Sequence, residues 1–229
     1  MTLSKPVNVL IAEDHAIVRQ GLCGLLKTDG HFKIVGEART GREAVDLAAT
    51  LRPDVILMDI AMPVLNGVEA TRQILAVNPA ARVIILSAHS DDVYVERTTK
   101  AGAVGFLVKQ SSAEMLTKAI AEVAAGKTYF CPVVAKRMQH YQAKTRDRNG
   151  LPKESRASRL TPRESEVLQL VAEGSANKQV AAALGISLKT VEKHRQHLMD
   201  KLNIHDTAGL TRYAISTGVI ENSVQLTIV

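Results

Sequence analysis

The chain has 229 residues, of which 46% are hydrophobic and 23% are charged, and its formal net charge is +6. A chain of this length forms one or two domains, and this composition excludes a disordered protein, which has fewer apolar residues and a larger net charge. No apolar run reaches the length of a membrane span, and the first residues contain no secretion signal. Because Cys23 and Cys131 are also far apart in the sequence, we expect a reduced, cytoplasmic protein with no membrane contact.

Strand and helix patterns alternate five times in the first half of the chain. Short runs rich in Val, Ile and Leu are typical of buried strands. The predicted strands are Val7–Ala12, Lys33–Ala38, Asp54–Ile60, Arg82–Ser87 and Val104–Val108. Segments with helical spacing follow them, at 15–28, 42–51, 67–77, 92–101 and 113–125.

The first predicted helix shows the spacing most clearly, because Val18, Leu22, Leu25 and Leu26 form one apolar stripe. Strands that alternate with helices of this length form parallel sheets covered on both faces. The sequence therefore predicts an α/β, doubly wound, five-stranded parallel sheet over residues 6–126.

The segment 139–159 interrupts this alternation. It is polar, contains Asn-Gly and a proline, and shows no apolar period. Residues 140–159 carry six Lys or Arg and two Asp or Glu, so most of the net positive charge of the chain lies there. A stretch of this length without structure is uncommon inside one domain, so we interpret 139–159 as a linker.

The region after the linker is predicted to be helical throughout. Apolar spacing predicts helices at 162–173, 177–184, 188–202 and 206–217. Thr161, Pro162 and Glu164 form the pattern of a capping box, and Gly185 falls in a short turn between two helices. Residues 160–222 are therefore predicted to be a small all-α domain with a helix-turn-helix.

Polar residues follow four of the five predicted strands. Glu13 and Asp14 follow the first strand, Asp59 closes the third, Ser87 closes the fourth and Lys109 follows the fifth. The carboxyl ends of parallel strands meet at one edge of the sheet, so these side chains should converge there. An Asp or Ser after a strand could instead cap the following helix, and Asp14 in particular could cap 15–28.

Three carboxylates at one edge repel each other unless positive charge balances them. A hard divalent cation with oxygen ligands provides that balance, and Mg²⁺ binds few carboxylates while keeping several waters. Lys109 would add a fixed positive charge, and the hydroxyl of Ser87 a hydrogen bond. An aspartate positioned in this way can act as a nucleophile in phosphoryl transfer.

These motifs together resemble the receiver domain of bacterial two-component response regulators. The resemblance rests on Glu13-Asp14, Asp59 with Met62-Pro63 and Gly67, Ser87-Ala88, and Lys109 after Gly105-Phe106. It implies that Asp59 accepts a phosphoryl group from a histidine kinase. It also implies that Asp14, Asp59 and the backbone carbonyl of Ala61 hold Mg²⁺, with Glu13 acting through a water.

The same resemblance implies that Lys109 and Ser87 contact the phosphoryl oxygens and that Phe106 is an aromatic switch. Phe106 stands where the family more often has Tyr. Because Phe lacks the hydroxyl, a switch there would rest on packing alone, and Phe106 could equally be an ordinary core residue.

One face of the predicted helix 188–202 is polar. Val191, Leu198 and Leu202 lie on its core side, and the opposite side carries Lys189, Lys193 and Gln196. Such a face suits contacts with base edges in a major groove, although an ordinary solvated face has the same pattern. The preceding helix and tight turn favour DNA binding.

The C-terminal region resembles the LuxR-type helix-turn-helix of the NarL/FixJ subfamily. The residues that carry it include Leu160-Thr161, Arg163-Glu164, Glu166-Val167-Leu168, Asn177-Lys178, Ile186-Ser187, Thr190-Val191 and Lys201-Leu202. The resemblance implies that Lys189, Glu192, Lys193 and Gln196 meet bases, and that Lys178 and Thr190 meet phosphates. Ala176 departs from the pattern, which has Ser or Thr there.

The combined prediction is a DNA-binding transcriptional response regulator rather than a turnover enzyme. Its partners would be a sensor histidine kinase and a two-fold symmetric promoter site bound by a homodimer, for which Leu210, Tyr213 and Ala214 are candidate contacts. The alternatives are a regulator that works independently of phosphorylation and a Mg²⁺-dependent phosphatase. The phosphatase would need an acid two residues after Asp59, where Ala61 stands.

Overall fold

The computed structural model describes residues 5–88, 92–131, 134–135 and 160–220, without the side chains of Asp92 and Val93. The chain divides into two compact units, Met1–Pro152 and Lys153–Val229. The division falls inside the predicted linker 139–159, which itself lies outside the described residues. None of the described helices has the length and apolar composition needed to cross a bilayer.

The first unit is a parallel sheet with helices between its strands. The strands are β1 (Val7–Ala12), β2 (Phe32–Ala38), β3 (Val55–Asp59), β4 (Val83–Ser87), β5 (Gly105–Val108) and β6 (Tyr129–Phe130). The helices are α1 (Ala16–Thr28), α2 (Gly41–Leu51), α3 (Gly67–Val77), α4 (Asp92–Lys100) and α5 (Ala113–Ala124). These bounds agree with the predicted elements to within a residue or so.

The sheet has the strand order β2-β1-β3-β4-β5-β6, with every described pairing parallel. The chain reverses its direction of travel across the sheet between β1 and β3, where a crevice forms beyond the carboxyl ends of the strands. Every residue of β3 and of β4 is buried, as expected for central strands covered on both faces. The predicted doubly wound α/β sheet is confirmed.

All five predicted strands are present, and the described residues contain one further strand. The sixth strand, β6, has only two residues, which pair with Gly105 and Phe106 of β5. Two residues are too few to show an alternation of apolar and polar positions, so the sequence carries no periodic signal for this strand.

The apolar stripe predicted for α1 is also displaced. The buried residues of α1 are Arg19, Cys23 and Leu26, whereas Val18, Leu22 and Leu25 are only half-buried. The helix is therefore rotated relative to the predicted face. The rotation brings a charged residue, Arg19, into the interior.

The second unit is helical over the described residues 160–220. Its helices are α6 (Pro162–Ala172), α7 (Asn177–Leu184), α8 (Leu188–Leu202) and α9 (Thr207–Ser216). Buried residues of α6 (among them Val167, Leu168 and Val171) form the centre of the core. The predicted helices are confirmed, and the last two residues of the predicted domain, 221 and 222, lie outside the described chain.

Candidate functional sites

The carboxyl ends of the strands bring the predicted polar residues together. Glu13 directly follows β1, Asp59 is the last residue of β3, and Lys109 directly follows β5. Ser87 ends β4 between them, and its backbone carbonyl accepts a hydrogen bond from the N–H of Lys109 at 2.8 Å. Parallel register thus places four chain segments at one edge of the sheet.

Lys109 connects two of the acidic side chains. Its Nζ lies 2.9 Å from Oδ2 of Asp59 and 2.9 Å from Oε2 of Glu13. The side chains of Glu13 and Asp59 are 0% and 2% exposed. Two buried carboxylates therefore share a single ammonium group, which leaves an excess of negative charge at this edge.

Asp14 and His15 complete the cluster on its solvent side. One ligand atom each from Glu13, Asp14, His15 and Asp59 lies within 4.8 Å of the others. His15 Nδ1 is 2.8 Å from Oδ1 of Asp14. His15 was not among the residues predicted for this site, although its position directly after the acidic pair was an available signal. Asp14 is not the N-cap of α1, because His15 occupies that position.

The charges at this edge change the acidity of both partners. Burial, followed by repulsion from Glu13, raises the pKa of Asp59 to about 6, although attraction to Lys109 acts in the opposite direction. Burial alone would lower the pKa of Lys109, but Asp59 and Glu13 outweigh that effect and raise it. At neutral pH Lys109 is therefore a cation and Asp59 is predominantly an anion.

The residues present fit a divalent cation. Three buried carboxylate oxygens, Glu13 Oε2, Asp14 Oδ1 and Asp59 Oδ2, have no well-directed hydrogen bond among the described residues, and the first and last meet only the Lys109 ammonium. Converging carboxylate oxygens of this kind, which here outnumber the one ammonium beside them, are the ligands that hard cations bind. The edge of the sheet is thus an acidic pocket able to hold such an ion.

The loop between β3 and α3 fixes the position of Asp59. A Cβ atom added to Gly67 would lie 1.9 Å from the backbone oxygen of Asp59, so only glycine allows α3 to begin this close to the strand. The N–H of Gly67 donates to the carbonyl of Ile60 at 2.9 Å. Within the same loop the β-branched Val64 has a φ of 70°, an unfavourable conformation that surrounding contacts must enforce.

The remaining predicted residues of this site lie in the two neighbouring strands and in the loop. Ser87 is 1% exposed and Phe106 is fully buried in β5, where it pairs with Ile85 and Phe130. Ala61 lies two residues beyond Asp59, in the loop. Phe106 is therefore a core residue of the sheet.

The second unit contains the predicted helix-turn-helix. The capping box of α6 is present, since Thr161 Oγ1 accepts from the N–H of Glu164 at 3.3 Å and Glu164 Oε2 accepts from the N–H of Thr161 at 2.8 Å. Between α7 and α8, Gly185 adopts a left-handed conformation with a φ of 62°. Ser187 then caps α8, accepting from the N–H of Thr190 at 3.1 Å.

Arg195 holds the start of α7 close to α8 and α9. Its guanidinium donates to Asn177 Oδ1 at 2.8 Å and to Thr207 Oγ1 at 2.6 Å. Lys201 Nζ also lies 2.6 Å from Glu164 Oε2, which links the end of α8 to the start of α6. These contacts join α8 to the first residues of α6, α7 and α9 within the unit.

The polar face of α8 points to solvent. Val191 and Leu198 are fully buried and Leu202 is half-buried, as the helical spacing predicts. The side chains proposed for DNA contacts are exposed on α7 and α8, except for the half-buried Thr190; they are Lys178, Lys189, Thr190, Glu192, Lys193 and Gln196. The exposed face is therefore continuous and carries several hydrogen-bonding groups.

Two of the three residues predicted for dimer contacts lie in the core of their own unit. Leu210 and Ala214 are fully buried, because α9 packs on α6 and closes the core of its own unit. Tyr213 is half-buried and Ile215 is 36% exposed. A second copy could reach these two residues of α9, but not the buried pair.

Two protein families match this chain. The family described as the response regulator receiver domain matches residues 9–121. The family described as bacterial regulatory proteins of the LuxR family matches residues 158–214. The first match contains the acidic pocket, and the second contains the helix-turn-helix.

Several relatives resemble the chain over nearly its whole length. The transcriptional regulatory protein MctR of Rhizobium johnstonii is 36% identical, over 96% of this chain and 98% of that protein. The transcriptional regulatory protein DegU of Brevibacillus brevis is 35% identical, over 94% of this chain and 95% of that protein. A solved complex of the two-component response regulator RcsB with DNA is 26% identical with a TM-score of 0.57, over 93% of this chain and 100% of that one.

The raised pKa of Asp59 predicts that this residue destabilises the fold when it is ionised. Its pKa is about 6 in the folded protein and near 3.8 in the unfolded chain, so the free energy of unfolding falls as the pH rises between these values. We expect Asp59→Asn to be more stable than the wild type at about pH 7.5, by up to about 3 kcal/mol, with the gain disappearing towards about pH 4. Urea unfolding without divalent cations measures this difference.

Asp46→Asn, which removes an exposed carboxylate from α2, is the matched control and should change stability little at either pH. Equal stability of Asp59→Asn and the wild type at neutral pH would show that ionisation of Asp59 does not destabilise the fold.

Proposed function

This chain belongs to the DNA-binding response regulators of two-component systems, which join a receiver domain to a LuxR-type helix-turn-helix, and we propose that phosphorylation of Asp59 controls its binding to promoter DNA. We assign the receiver domain to residues 6–126, the linker to 139–159 and the DNA-binding domain to 160–222. A protein that binds promoter DNA acts in the bacterial cytoplasm, where that DNA lies.

One observation carries the proposal: the ammonium of Lys109 lies 2.9 Å from a carboxylate oxygen of Asp59, at an edge with excess negative charge. A nucleophile in phosphoryl transfer needs an ionised oxygen and nearby positive charge for the incoming phosphoryl oxygens. Asp59 and Lys109 supply these two requirements.

In the proposed reaction, an oxygen of Asp59 forms a bond to phosphorus as the bond from phosphorus to the histidine nitrogen of the kinase breaks. The electron pair of the broken bond returns to that nitrogen. Lys109 and the Ser87 hydroxyl contact the oxygens of the transferred group, and Glu13 keeps Lys109 in place. The pKa of about 6 leaves Asp59 predominantly ionised and nucleophilic at neutral pH.

The cation proposed for the acidic pocket is Mg²⁺, held by Asp14, Asp59 and the backbone carbonyl of Ala61, with Glu13 acting through a water. When bound, it supplies positive charge that neutralises the phosphoryl oxygens. Water later hydrolyses the acyl phosphate, so the receiver catalyses only its own phosphorylation and dephosphorylation.

The output of the switch is DNA binding by α8. The solved complex of RcsB with DNA and the exposed polar face of α8 support this assignment. We assign Lys189, Glu192, Lys193 and Gln196 to base contacts and Lys178 and Thr190 to phosphate contacts. Phe106, buried in β5 on the strand that leads to Lys109, is the residue we propose to respond to phosphorylation by repacking.

If Asp59 is the phosphoacceptor, Asp59→Asn should take up no phosphoryl group from acetyl phosphate and Mg²⁺, whereas Asp14→Asn should lose the dependence on Mg²⁺. Mass spectrometry of the intact protein measures both results. The control Asp54→Asn removes an exposed carboxylate close to β3 and should be labelled like the wild type. Full labelling of Asp59→Asn would refute the assignment and favour a regulator that works without phosphorylation of this residue.

DNA affinity and DNA specificity should depend on different lysines. Lys178→Ala should weaken binding to all sequences about equally and lower the salt slope by about one. Lys193→Ala should relax specificity at one base position, by about 1–3 kcal/mol. Salt titrations on a site selected from random DNA and on an unselected duplex measure these effects.

Lys118→Ala, which replaces an exposed lysine of α5 in the receiver, is the control for loss of one positive charge. It should leave both DNA affinity and DNA specificity unchanged. Equal losses on selected and unselected DNA for Lys193→Ala would show that Lys193 contacts phosphate instead.

We further expect phosphorylation to favour a homodimer and to relieve inhibition of the DNA-binding domain by the receiver. A single small helix-turn-helix offers few base contacts, so specific binding needs two copies on a two-fold site. A modification can shift this equilibrium only by stabilising one state more than the other. Tyr213 and Ile215 on α9 are the accessible candidates for contacts between DNA-binding domains.

Sedimentation of the full chain with and without acetyl phosphate measures dimerisation, and DNA titration of the fragment 155–229 measures inhibition by the receiver. The mechanism is wrong if phosphorylation changes neither the monomer–dimer balance nor DNA affinity and the fragment binds no better than the unmodified chain.

A further inference from the structure

Arg19 is a buried cation that the phosphoacceptor chemistry above does not use. It lies in the first turn of α1 and its side chain is 8% exposed. A buried charge is tolerated only where hydrogen bonds or an opposite charge compensate the loss of water. The partners of Arg19 therefore indicate why it is there.

The guanidinium reaches back to the loop that carries the acidic pair. Its Nη1 donates to the backbone carbonyl of Glu13 at 2.8 Å and to that of Asp14 at 3.2 Å. Its Nε lies 3.3 Å from Oε2 of Glu37 on β2, a side chain that is 47% exposed. Two of the three partners are thus backbone oxygens of the acidic residues themselves.

The carbonyl of Asp14 and the N–H of His15 belong to the same peptide group. Because a trans peptide is planar, its C=O and N–H point in opposite directions. Arg19 holds the carbonyl, and the N–H donates to Oε1 of Glu13 at 3.2 Å. The orientation of this one peptide group therefore connects the arginine to the Glu13 carboxylate.

The connection continues into the pocket. Oε1 of Glu13 also accepts from Nζ of Lys109 at 3.1 Å, and Lys109 contacts Asp59. A cation on one side of the peptide group and an anion on the other both favour the same orientation of its dipole. Rotation of that peptide would remove one of the donors that fix the Glu13 carboxylate.

We propose that Arg19 is a positioning residue for the acidic pocket. Arg19 sets the orientation of the two peptide groups after Glu13, and it thereby holds the carboxylates of Glu13 and Asp14 in place for a divalent cation. This inference rests on the proposed function, which places a divalent cation in the acidic pocket. Arg19 itself does not touch the cation or the phosphoryl group.

The test measures Mg²⁺ binding to the full chain, by calorimetry with MgCl₂ alone, for Arg19→Gln and Arg19→Lys. Loss of a residue that orients metal ligands lowers metal affinity by about 10- to 100-fold. We expect a loss in this range for Arg19→Gln and a smaller one for Arg19→Lys, because Lys keeps the positive charge but has a shorter side chain and lacks the rigid planar guanidinium that meets both carbonyls and Glu37.

Glu37→Gln is the matched control. It removes the negative charge of the third partner of Arg19 without touching the acidic loop, and it should change Mg²⁺ affinity by no more than about twofold, as expected for a half-exposed ion pair. Urea unfolding of each variant separates positioning from stability, since the proposal requires weaker Mg²⁺ binding by folded protein.

Wild-type Mg²⁺ affinity in both folded Arg19 variants would overturn the proposal. If Arg19→Gln does not fold, Arg19→Lys decides alone. Unfolding of both would assign Arg19 to the stability of the β1–α1 junction and would overturn the proposal as well.

The same measurements distinguish this inference from the proposed function. A wild-type chain that binds Mg²⁺ but takes no phosphoryl group on Asp59 would contradict the function and leave the role of Arg19 standing. If the wild type binds no Mg²⁺, amide hydrogen exchange at His15 decides the role of Arg19. We expect exchange about tenfold faster in Arg19→Lys than in the wild type, because the N–H bond to Glu13 is loosened; an unchanged rate would overturn the proposal.

Discussion

The acidic pocket of the receiver unit is organised by Lys109, which forms ion pairs with both Glu13 and Asp59. One ammonium group faces two carboxylates that are almost completely buried. Removing Lys109 would leave both charges uncompensated in the interior, which is strongly destabilising. Even with Lys109 present, negative charge exceeds positive charge, and the raised pKa of Asp59 expresses this imbalance. An excess of this kind is relieved by a bound cation.

The fold delivers these three groups because their strands are central and parallel. The sheet order places β1 beside β3, and β4 between β3 and β5, so the ends of these strands converge over a short distance. Gly67 then lets α3 start against the backbone of Asp59 itself. The pocket is therefore built largely from backbone constraints, into which the charged side chains project.

The DNA-binding unit is organised by a different set of contacts. The buried face of α8 packs into the core of this unit. The side chains of Arg195 and Lys201 on α8 then contact the starts of the other three helices. The polar face of α8 is already exposed among the described residues of this unit, so the proposed contact with DNA needs no rearrangement of them. The proposed control by the receiver would therefore act on access or on assembly, and this is why we propose a monomer–dimer equilibrium as the switch.

The sequence was sufficient for most elements, since the strands of the sheet and the helices α6 to α9 have strong periodic signals. It also indicated the polar residues at the strand ends, because a buried run followed by a charged residue is visible in one dimension. It failed for the two-residue strand β6, which has no period, and for the face of α1. On α1, the half-buried Leu22 and Leu25 gave a stronger apolar signal than the truly buried stripe of Arg19, Cys23 and Leu26.

What the sequence determined by itself was the order of the elements and the chemistry at their ends, because hydrophobic periodicity and local capping are properties of neighbouring residues. Only the tertiary structure decided which side chains share a partner. It placed Leu210 and Ala214 in the core of their own unit and turned Arg19 towards the carbonyls of the acidic loop. Each of these depends on how a helix is rotated against the rest of its domain, and that rotation is set by packing between segments that are distant in the chain.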